Sequence, residues 1–151
     1  MIRKAKISDA KKIHELINYY AKKELMLYRS LNDIYENIRD FSIYEGKKRE
    51  VLGACALHIG WEGMGEIRSL AVKQGYTKKG IGKGLVDGIF REASEFGIKT
   101  IFVLTYIPNF FKKIGFKEID KKKLPQKVWT ECVNCPKFPN CDETAMIYKR
   151  N

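Results

Sequence analysis

A glycine-rich segment, G-Y-T-K-K-G-I-G-K-G over residues 75–84, carries the clearest chemical signal in the sequence. Its glycines let the backbone approach an anion closely, and a helix beginning at Gly80 would direct free N–H groups and the positive end of its dipole at that anion. Lys78, Lys79 and Lys83 add positive charge. The segment therefore predicts a binding site for the phosphates of a cofactor, with a purely packing role for the glycines as the alternative.

Two common phosphate-binding motifs do not fit this segment. A P-loop needs Lys and then Ser or Thr after Gly80, where Ile81 and Gly82 stand. A dinucleotide-binding fingerprint needs a third glycine where Leu85 stands. The stretch T-K-K-G-I-G over residues 77–82 instead resembles the pyrophosphate loop of the GNAT superfamily of N-acetyltransferases, Arg/Gln-x-x-Gly-x-Gly/Ala, with Thr77 where Arg or Gln is usual.

The resemblance extends well beyond the loop. The segment F-F-K-K-I-G-F over residues 110–116 is similar to an aromatic-aromatic-x-x-x-Gly-Phe segment in which many GNAT members carry a proton-donating tyrosine; here that position is Phe111, which has no proton to donate. Four further stretches resemble the acetyltransferase domain of N-acetylglutamate synthases, which also tend to carry Phe there: residues 27–30, 66–72, 102–105 and 124–125. The amino-acid kinase domain of the long synthases is missing, so the chain resembles a short, stand-alone form.

This resemblance implies acetyl-CoA as the cosubstrate. Backbone groups of residues 70–72 would bind the pantetheine arm, and the glycine loop would bind the pyrophosphate. On the short helix, Asn109 is a candidate cofactor contact, with helix capping as the alternative. The predicted cofactor-binding residues are Leu70, Ala71, Val72, Thr77, Lys78, Lys79, Gly80, Ile81, Gly82, Lys83, Gly84, Asn109, Phe110 and Phe111.

Acetyl transfer to an amine needs a base for the ammonium proton and a route for the thiolate to leave. Glu66 is the predicted base, since it matches a glutamate that several GNAT enzymes carry at the start of this strand. In alternating geometry Glu66, Arg68 and Leu70 would share one face, and the alternative is a surface glutamate paired with Arg68. Tyr106 is the second catalytic candidate, as an acid or a thiolate-stabilising donor, with aromatic packing as its alternative.

Three cations are candidates for binding an acidic acceptor. Arg29 matches an arginine that binds a substrate carboxylate in the synthases, and Arg68 and Lys127 are further candidates; a solvated surface charge is the alternative for each. An arginine pairs with a carboxylate in bidentate fashion, which suits an acidic amino acid. The predicted function is direct N-acetylation of L-glutamate, the first step of arginine biosynthesis. The alternatives are a GNAT enzyme for another amine, such as a protein N-terminus, and a non-catalytic acyl-CoA or metal-sensing module.

Three cysteines cluster near the C-terminus, in a segment of about residues 121–143. Clustered cysteines in a reducing compartment suggest a metal more than a disulfide. Cys132, Cys135 and Cys141 lack a certain fourth ligand, for which Cys55, His58 and Asp142 are candidates. A structural metal, a disulfide and free thiols therefore all remain open.

The elements that position these residues follow from the apolar periodicity. The pattern predicts an α+β fold, a mixed, mostly antiparallel sheet flanked by helices, in a single domain over residues 1–151, and the order of the elements resembles that of the GNAT superfamily. Ser8 or Asp9 would cap the first helix. The predicted strands are 2–7, 41–44, 51–61, 66–72, 100–104, 116–119 and 144–148, and the predicted helices follow Asp9 and span 31–39, 80–96 and 108–114.

Composition narrows the class of protein. The 151 residues are 44% apolar and 31% charged, which is typical of a globular domain, and no apolar run is long enough to span a membrane. The net charge of +11 favours anionic partners, but the lysines are scattered in small groups, which indicates a solvated surface rather than a nucleic-acid site. We therefore predict a cytoplasmic protein with a small-molecule acceptor, no nucleic-acid or membrane partner, and a homodimer as one option.

Overall fold

The computed structural model describes residues 1–124 and 141–150. In chain order its strands are β1 Ile2–Lys4, β2 Phe41–Glu45, β3 Val51–Trp61, β4 Met64–Val72, β5 Thr100–Thr105, β6 Lys117–Glu118 and β7 Thr144–Lys149. The helices are α1 Ala10–Ala21, α2 Leu31–Glu36, α3 Ile81–Glu95 and α4 Pro108–Ile114. Short 3-10 helices cover Ile7–Asp9, Ile38–Asp40 and Lys121–Lys123.

The strands form one seven-stranded sheet in the order β1-β2-β3-β4-β5-β7-β6. All neighbouring pairs are antiparallel except β4 and β5, which are parallel and are connected through α3. This mixed, mostly antiparallel sheet flanked by helices confirms the predicted fold class. Among the described residues, no helix is long and apolar enough to cross a membrane.

Both faces of the sheet are covered by helices. The α3 face holds the larger core, because the apolar stripe of α3 packs there; its buried members are Ile81, Leu85, Val86, Ile89 and Ala93. The opposite face packs against α1 and α2 through a second core that includes Ile13, Ile17, Ile34, Phe41 and Ile43.

Helix α3 lies unusually close to the sheet at Gly53. A Cβ atom at this position would lie 2.9 Å from Cγ2 of Ile81 and 3.0 Å from Cδ1 of Leu85, closer than packed side chains allow. The missing side chain at Gly53 therefore lets the first turn of α3 press against β3.

The N-terminal boundary of α1 differs from the prediction. Strand β1 ends at Lys4, and a 3-10 turn precedes the helix. The Asp9 side chain does not cap α1: its carboxylate accepts hydrogen bonds from the Lys6 backbone N–H at 2.7 Å and from the Arg3 guanidinium at 2.8 and 3.0 Å. The prediction that Asp9 caps α1 is therefore wrong, because the Lys6 N–H and the Arg3 guanidinium occupy its carboxylate, and Ser8 lies inside the 3-10 turn.

Two other boundaries also shift. Helix α2 begins as predicted after Ser30, whose Oγ accepts a hydrogen bond from the Asp33 N–H at 3.0 Å. It ends at Glu36 rather than residue 39, and a 3-10 turn completes the predicted length. Strand β4 begins two residues earlier than predicted, at Met64.

Candidate active site

Strands β4 and β5 separate at the centre of the sheet. Their parallel pairing ends at Ile67 and Val103, beyond which β4 continues beside β3 to Val72 and β5 continues beside β7 to Thr105. A cavity of about 650 Å³ is lined by residues of both strands at and beyond this point. The separation exposes the edge of β4, so its backbone can bind an extended ligand there.

A β-bulge at Ser69 interrupts the alternation of side chains along β4 beside the cavity. Ala54 pairs with Ala71 and Ala56 with Arg68, so β4 carries one extra residue, and Ser69 adopts a positive φ of 56°. Beyond the bulge, Leu70 packs in the α3 core together with Ile67. The prediction that Leu70 shares a face with Glu66 and Arg68 is therefore wrong, because it assumed uninterrupted alternation.

Tyr20 on α1 binds the exposed edge of β4. Lys73 donates its N–H to Leu52 on β3, so the polar groups of the preceding residue, Val72, point away from β3 in the alternating antiparallel pattern. The Val72 carbonyl accepts a hydrogen bond from the Tyr20 hydroxyl. Burial raises the pKa of Tyr20 above its usual value, which keeps the hydroxyl protonated as a donor.

The glycine loop leads into the first turn of α3 beside this edge. Gly80 adopts the left-handed conformation, with φ of 79°, and the Gly84 N–H makes the first bond of the helix, to the Gly80 carbonyl at 3.0 Å. The N–H groups of residues 81–83 thus have no partner within the helix. A Cβ atom at Gly82 would point at the Phe110 ring, 3.5 Å away, and at Val72, 3.7 Å away. Thr77, Lys78, Gly80, Gly82 and Lys83 all line the cavity.

Four of the predicted cofactor-binding residues lie off the cavity wall. The Ile81 side chain is buried in the α3 core, and Gly84 faces Ile2 of β1 and has its N–H engaged within the helix. The Lys79 ammonium lies 5.3 Å from the centroid of the Tyr76 ring. Asn109 is an exposed residue of α4, which begins at Pro108 with Ile107 as its cap position, so Asn109 is not the helix cap either.

The two residues predicted to share chemistry on β4 are bonded to each other. Arg68 Nε donates to Glu66 Oε1 at 2.7 Å, and the two side chains are 10% and 11% exposed. Both line the cavity. Glu66 is therefore not the surface glutamate of the alternative interpretation, although the pairing with Arg68 in that interpretation is present.

Tyr106 and Arg29 line the same cavity. The Tyr106 hydroxyl donates to Asp142 Oδ1 at 2.5 Å, so its proton is directed at a carboxylate. Arg29 Nε donates to Ser69 Oγ at 3.0 Å, and Nη1 donates to Asp33 Oδ2 at 2.8 Å. These two bonds fix the Arg29 guanidinium against the bulge of β4. Lys127 lies outside the described residues.

The match to a family model decides the family. The model for the acetyltransferase (GNAT) family matches residues 9–116, which is most of the chain and includes the separated strands and the glycine loop. The chain belongs to the GNAT family. Members of this family are acetyl-CoA-dependent acyltransferases, so the protein is an enzyme of that class.

Relatives of this GNAT acetyltransferase carry related names. It is 44% identical over 97% of its length to an uncharacterized N-acetyltransferase of Chlorobaculum tepidum, of which it covers 94%. It is 35% identical over 87% of its length to an amino-acid acetyltransferase of Mycobacterium tuberculosis, of which it covers 76%.

Two solved structures superpose on all of the GNAT chain. Rv2747 of Mycobacterium tuberculosis, in complex with CoA and NLQ, matches with a TM-score of 0.87 and 30% identity over 99% of that chain. The N-acetylglutamate synthase of Neisseria gonorrhoeae, complexed with coenzyme A and N-acetyl-glutamate, matches with a TM-score of 0.87 and 25% identity. This chain covers 35% of that synthase.

Several cavity residues of the GNAT enzyme were missed by sequence reasoning. Tyr20 lies on the apolar face of the first helix, and its hydroxyl is the signal that a polar partner is required. Glu143 is buried and lines the cavity just before β7, where the irregular sequence gave no periodic signal. Leu25, Met26 and Leu27 line the cavity from the α1–α2 connection.

Phe111 belongs to an aromatic cluster beside the cavity, and of the four cysteines only Cys55 and Cys141 are among the described residues. Phe111 lines the cavity but is 2% exposed, packed edge-on against Phe110 and Phe116. Cys132 and Cys135 lie outside the described residues. Of the described cysteines, Cys55 and Cys141 form no disulfide with each other, and among the described residues no three His, Cys, Asp or Glu side chains are grouped to hold a metal ion. Cys55 lies in the α3 core, where burial raises the pKa of its thiol to about 12.

Proposed function

We propose that this enzyme transfers acetyl from acetyl-CoA directly to the α-amine of an acidic amino acid, most favourably L-glutamate, as the first step of arginine biosynthesis. The observation that carries the proposal is that one cavity is lined both by the glycine loop and by Glu66, Arg68 and Arg29. A phosphate-binding element, a carboxylate base and a fixed guanidinium therefore meet in one space. The cytoplasmic location, the homodimer and the absence of nucleic-acid and membrane partners stay predictions.

The first turn of α3 supplies the cofactor site. Its free N–H groups, its dipole and the ammonium groups of Lys78 and Lys83 favour a pyrophosphate. Gly80 and Gly82 keep the approach open, since a Cβ at Gly82 would project into the space beside Phe110 and Val72. The exposed edge of β4 would bind the pantetheine amides, with Tyr20 holding the Val72 carbonyl in place.

Glu66 would act as the general base. Its carboxylate takes a proton from the acceptor ammonium, directly or through one water, and the freed amine attacks the thioester carbonyl carbon. A C–N bond forms and the C–S bond breaks, so that CoA leaves as a thiolate; the nitrogen then loses its second proton, which balances the proton that the thiolate takes up, so that one proton in total is released. Arg68 holds the Glu66 carboxylate in position through the 2.7 Å bond.

Protonation of the thiolate cannot come from Phe111. Tyr106 has a hydroxyl at the cavity wall, but that hydroxyl donates to Asp142. Tyr106 would act as the acid only by exchanging this partner for the sulfur. Until that exchange, the bond to Asp142 holds the Tyr106 hydroxyl in place.

Arg29 would select the acidic acceptor. Its Nε and Nη1 are engaged by Ser69 and Asp33, which leaves Nη2 without a partner among residues 1–124 and 141–150. A guanidinium held in this way recognises a carboxylate with little loss of side-chain entropy. The names of the relatives support this choice, since they include an amino-acid acetyltransferase and a synthase bound to N-acetyl-glutamate.

A panel assay tests the function. We expect CoA release from acetyl-CoA with L-glutamate, weaker release with aspartate, and little with neutral amino acids such as glutamine or with cationic ones. Equal rates with acidic and neutral amino acids would contradict the acidic acceptor. Turnover only with peptides bearing a free N-terminus would favour the alternative GNAT acceptor, and binding of acetyl-CoA without turnover on any amine would favour a sensing module.

A further inference from the structure

The proton taken by Glu66 needs a route out of a buried position. Transfer of acetyl from a thioester to an ammonium group releases one proton in each turnover, and the base must return to its ionised form. The Glu66 side chain is 11% exposed, and its bonded partner, Arg68, is a guanidinium that keeps its protons at all relevant pH values. Arg68 therefore holds Glu66 but cannot relay its proton.

Strand pairing fixes the neighbours of Glu66 on its face of the sheet. His58 of β3 and Phe102 of β5 are its direct cross-strand partners, while Met64 and Arg68 flank it along β4. Phe102 is 5% exposed, and Met64 packs against the apolar cluster that contains it. Direct partners in an antiparallel pair have Cβ atoms about 4.5–5.5 Å apart. Among these four neighbours, His58 alone has a side chain with ring nitrogens that can both accept and donate a proton.

His58 is held by a second carboxylate on its other side. Its Nδ1 lies 2.8 Å from Oδ2 of Asp40, in the 3-10 turn before β2, and the two side chains are 29% and 27% exposed. A carboxylate accepts from an N–H, so Asp40 favours the tautomer with the proton on Nδ1. The neutral ring then carries its lone pair on Nε2. Of the described residues, Asp40 is placed against His58 by a hydrogen bond and Glu66 by direct strand pairing, and Arg68 bonds Glu66.

We propose that His58 and Asp40 form a proton relay that returns Glu66 to its ionised form. The O–H bond on Glu66 breaks and an N–H bond forms at Nε2 of His58, through one bridging water; the imidazolium, balanced by Asp40, then gives a proton to solvent. No electrons are transferred, and solvent or buffer is the final acceptor. This inference rests on Glu66 being the base of the proposed function.

Chemical rescue tests the relay. We expect His58→Gln to lower kcat about tenfold in dilute buffer, less than the loss typical of removing a direct base, with the KM for acetyl-CoA within about twofold. Added imidazole should restore much of the rate in His58→Gln, and Asp40→Asn should show a smaller loss of the same kind. His14→Gln is the matched control, because His14 bonds Asn18 on α1 rather than a carboxylate.

The outcomes separate the relay from the base. Two results overturn the relay: an unchanged kcat in His58→Gln, or a loss of kcat that neither imidazole nor a higher buffer concentration relieves. If Glu66→Gln is inactive, Glu66 remains the base in either case. Full activity of Glu66→Gln instead overturns the base and the relay with it. Circular dichroism and the melting temperature of His58→Gln establish that the variant is folded before its kinetics are compared.

Discussion

Two carboxylates in this molecule are held by arginines at similar distances and have different expected roles. Glu66 bonds Arg68 at the cavity wall, whereas Asp9 bonds Arg3 between β1 and the turn before α1. The residue type and the ion pair do not distinguish them. The cavity does, since a ligand placed there contacts Glu66 and cannot contact Asp9.

Replacing Glu66 tests its role as the base. Glu66→Gln keeps the shape and a hydrogen-bond acceptor for Arg68 but cannot take the proton, so we expect turnover to fall on the order of 10²–10⁴-fold. Acetyl-CoA affinity, measured by calorimetry, should be nearly unchanged. Glu62→Gln, in the exposed turn between β3 and β4, is the control. A loss of only a few-fold across the pH range would make Glu66 a structural partner of Arg68.

Replacing Arg29 tests recognition of the acceptor. Arg29→Ala should raise the KM for glutamate roughly 10- to 100-fold, the value of a lost charge-assisted hydrogen bond, and should spare the KM for acetyl-CoA. Asp33→Asn is the matched variant, because it removes the competing negative charge while leaving the guanidinium, and its glutamate KM should not rise. A similar increase in both variants would indicate that the pair acts through local structure.

At the scale of elements, the site is made where regular geometry is interrupted. Three features interrupt the regular hydrogen-bond pattern of the sheet or helix: the separation of β4 from β5, the bulge at Ser69 and the left-handed conformation of Gly80. Each interruption leaves backbone groups beside the cavity outside the regular hydrogen-bond pattern of the sheet or helix. The site is thus a product of the ends and irregularities of its elements rather than of their centres.

The first turn of α3 gives a prediction about cofactor affinity. Gly82→Asp places a side chain and a negative charge where the pyrophosphate would bind, so calorimetry should show acetyl-CoA affinity reduced about tenfold or more. A Cβ at residue 82 makes only ordinary contacts, so the fold should persist. Gly82→Ala adds volume without charge, so its acetyl-CoA affinity should fall less than that of Gly82→Asp. Unchanged affinity in a folded Gly82→Asp variant would remove the loop from the cofactor site.

The bond between α1 and β4 gives a second prediction at this scale. Tyr20→Phe removes the donor to the Val72 carbonyl. Because a hydrogen bond contributes about 1 kcal/mol net, we expect the KM for acetyl-CoA to rise roughly fivefold in this variant. The neighbouring Tyr19→Phe variant is the control, since the Tyr19 hydroxyl contacts Lys23 on the helix surface. Steady-state kinetics with saturating glutamate measures both, and equal KM values in the two variants would contradict a positioning role.

The sequence predicted the order of the elements but not their interruptions. The apolar periodicity of α1 and α3 and the long strand-forming stretch of β3 are signals to which many residues contribute, and the three predicted elements were confirmed. The bulge at Ser69 has no such signal, because a serine with positive φ looks like any strand serine until its neighbours are known. The position of Leu70 was therefore predicted wrongly, and the Asp9 cap failed because Arg3, six residues away, competes for the carboxylate.

At the scale of the whole molecule, stability couples to pH through the ion pair that anchors β1. The hydrogen bond from Arg3 lowers the pKa of Asp9 below its ordinary value. The stabilisation is therefore present above the pKa of the unfolded carboxyl, about 3.9, and is lost as pH falls through the lower pKa of the folded state. We expect Asp9→Asn to destabilise the protein by about 1–3 kcal/mol at neutral pH.

Melting curves from neutral to acidic pH check this expectation. The difference in Tm between the wild type and Asp9→Asn should shrink as the pH falls below the unfolded value. Glu15→Gln is the control, because Glu15 is exposed and its contact with Lys12 is 4.0 Å long. A constant difference in Tm down to strong acid would show that Asp9 stabilises the fold without its charge.

The close approach of α3 to β3 at Gly53 links the core to the cofactor. Any side chain at residue 53 would push the first turn of the helix outward, and that turn is the proposed anion site. Cofactor affinity can therefore be adjusted from a position that no ligand touches. In a cell richer or poorer in acetyl-CoA, substitution of this interior residue would change the cofactor affinity of the enzyme without any change in the residues of the cavity wall.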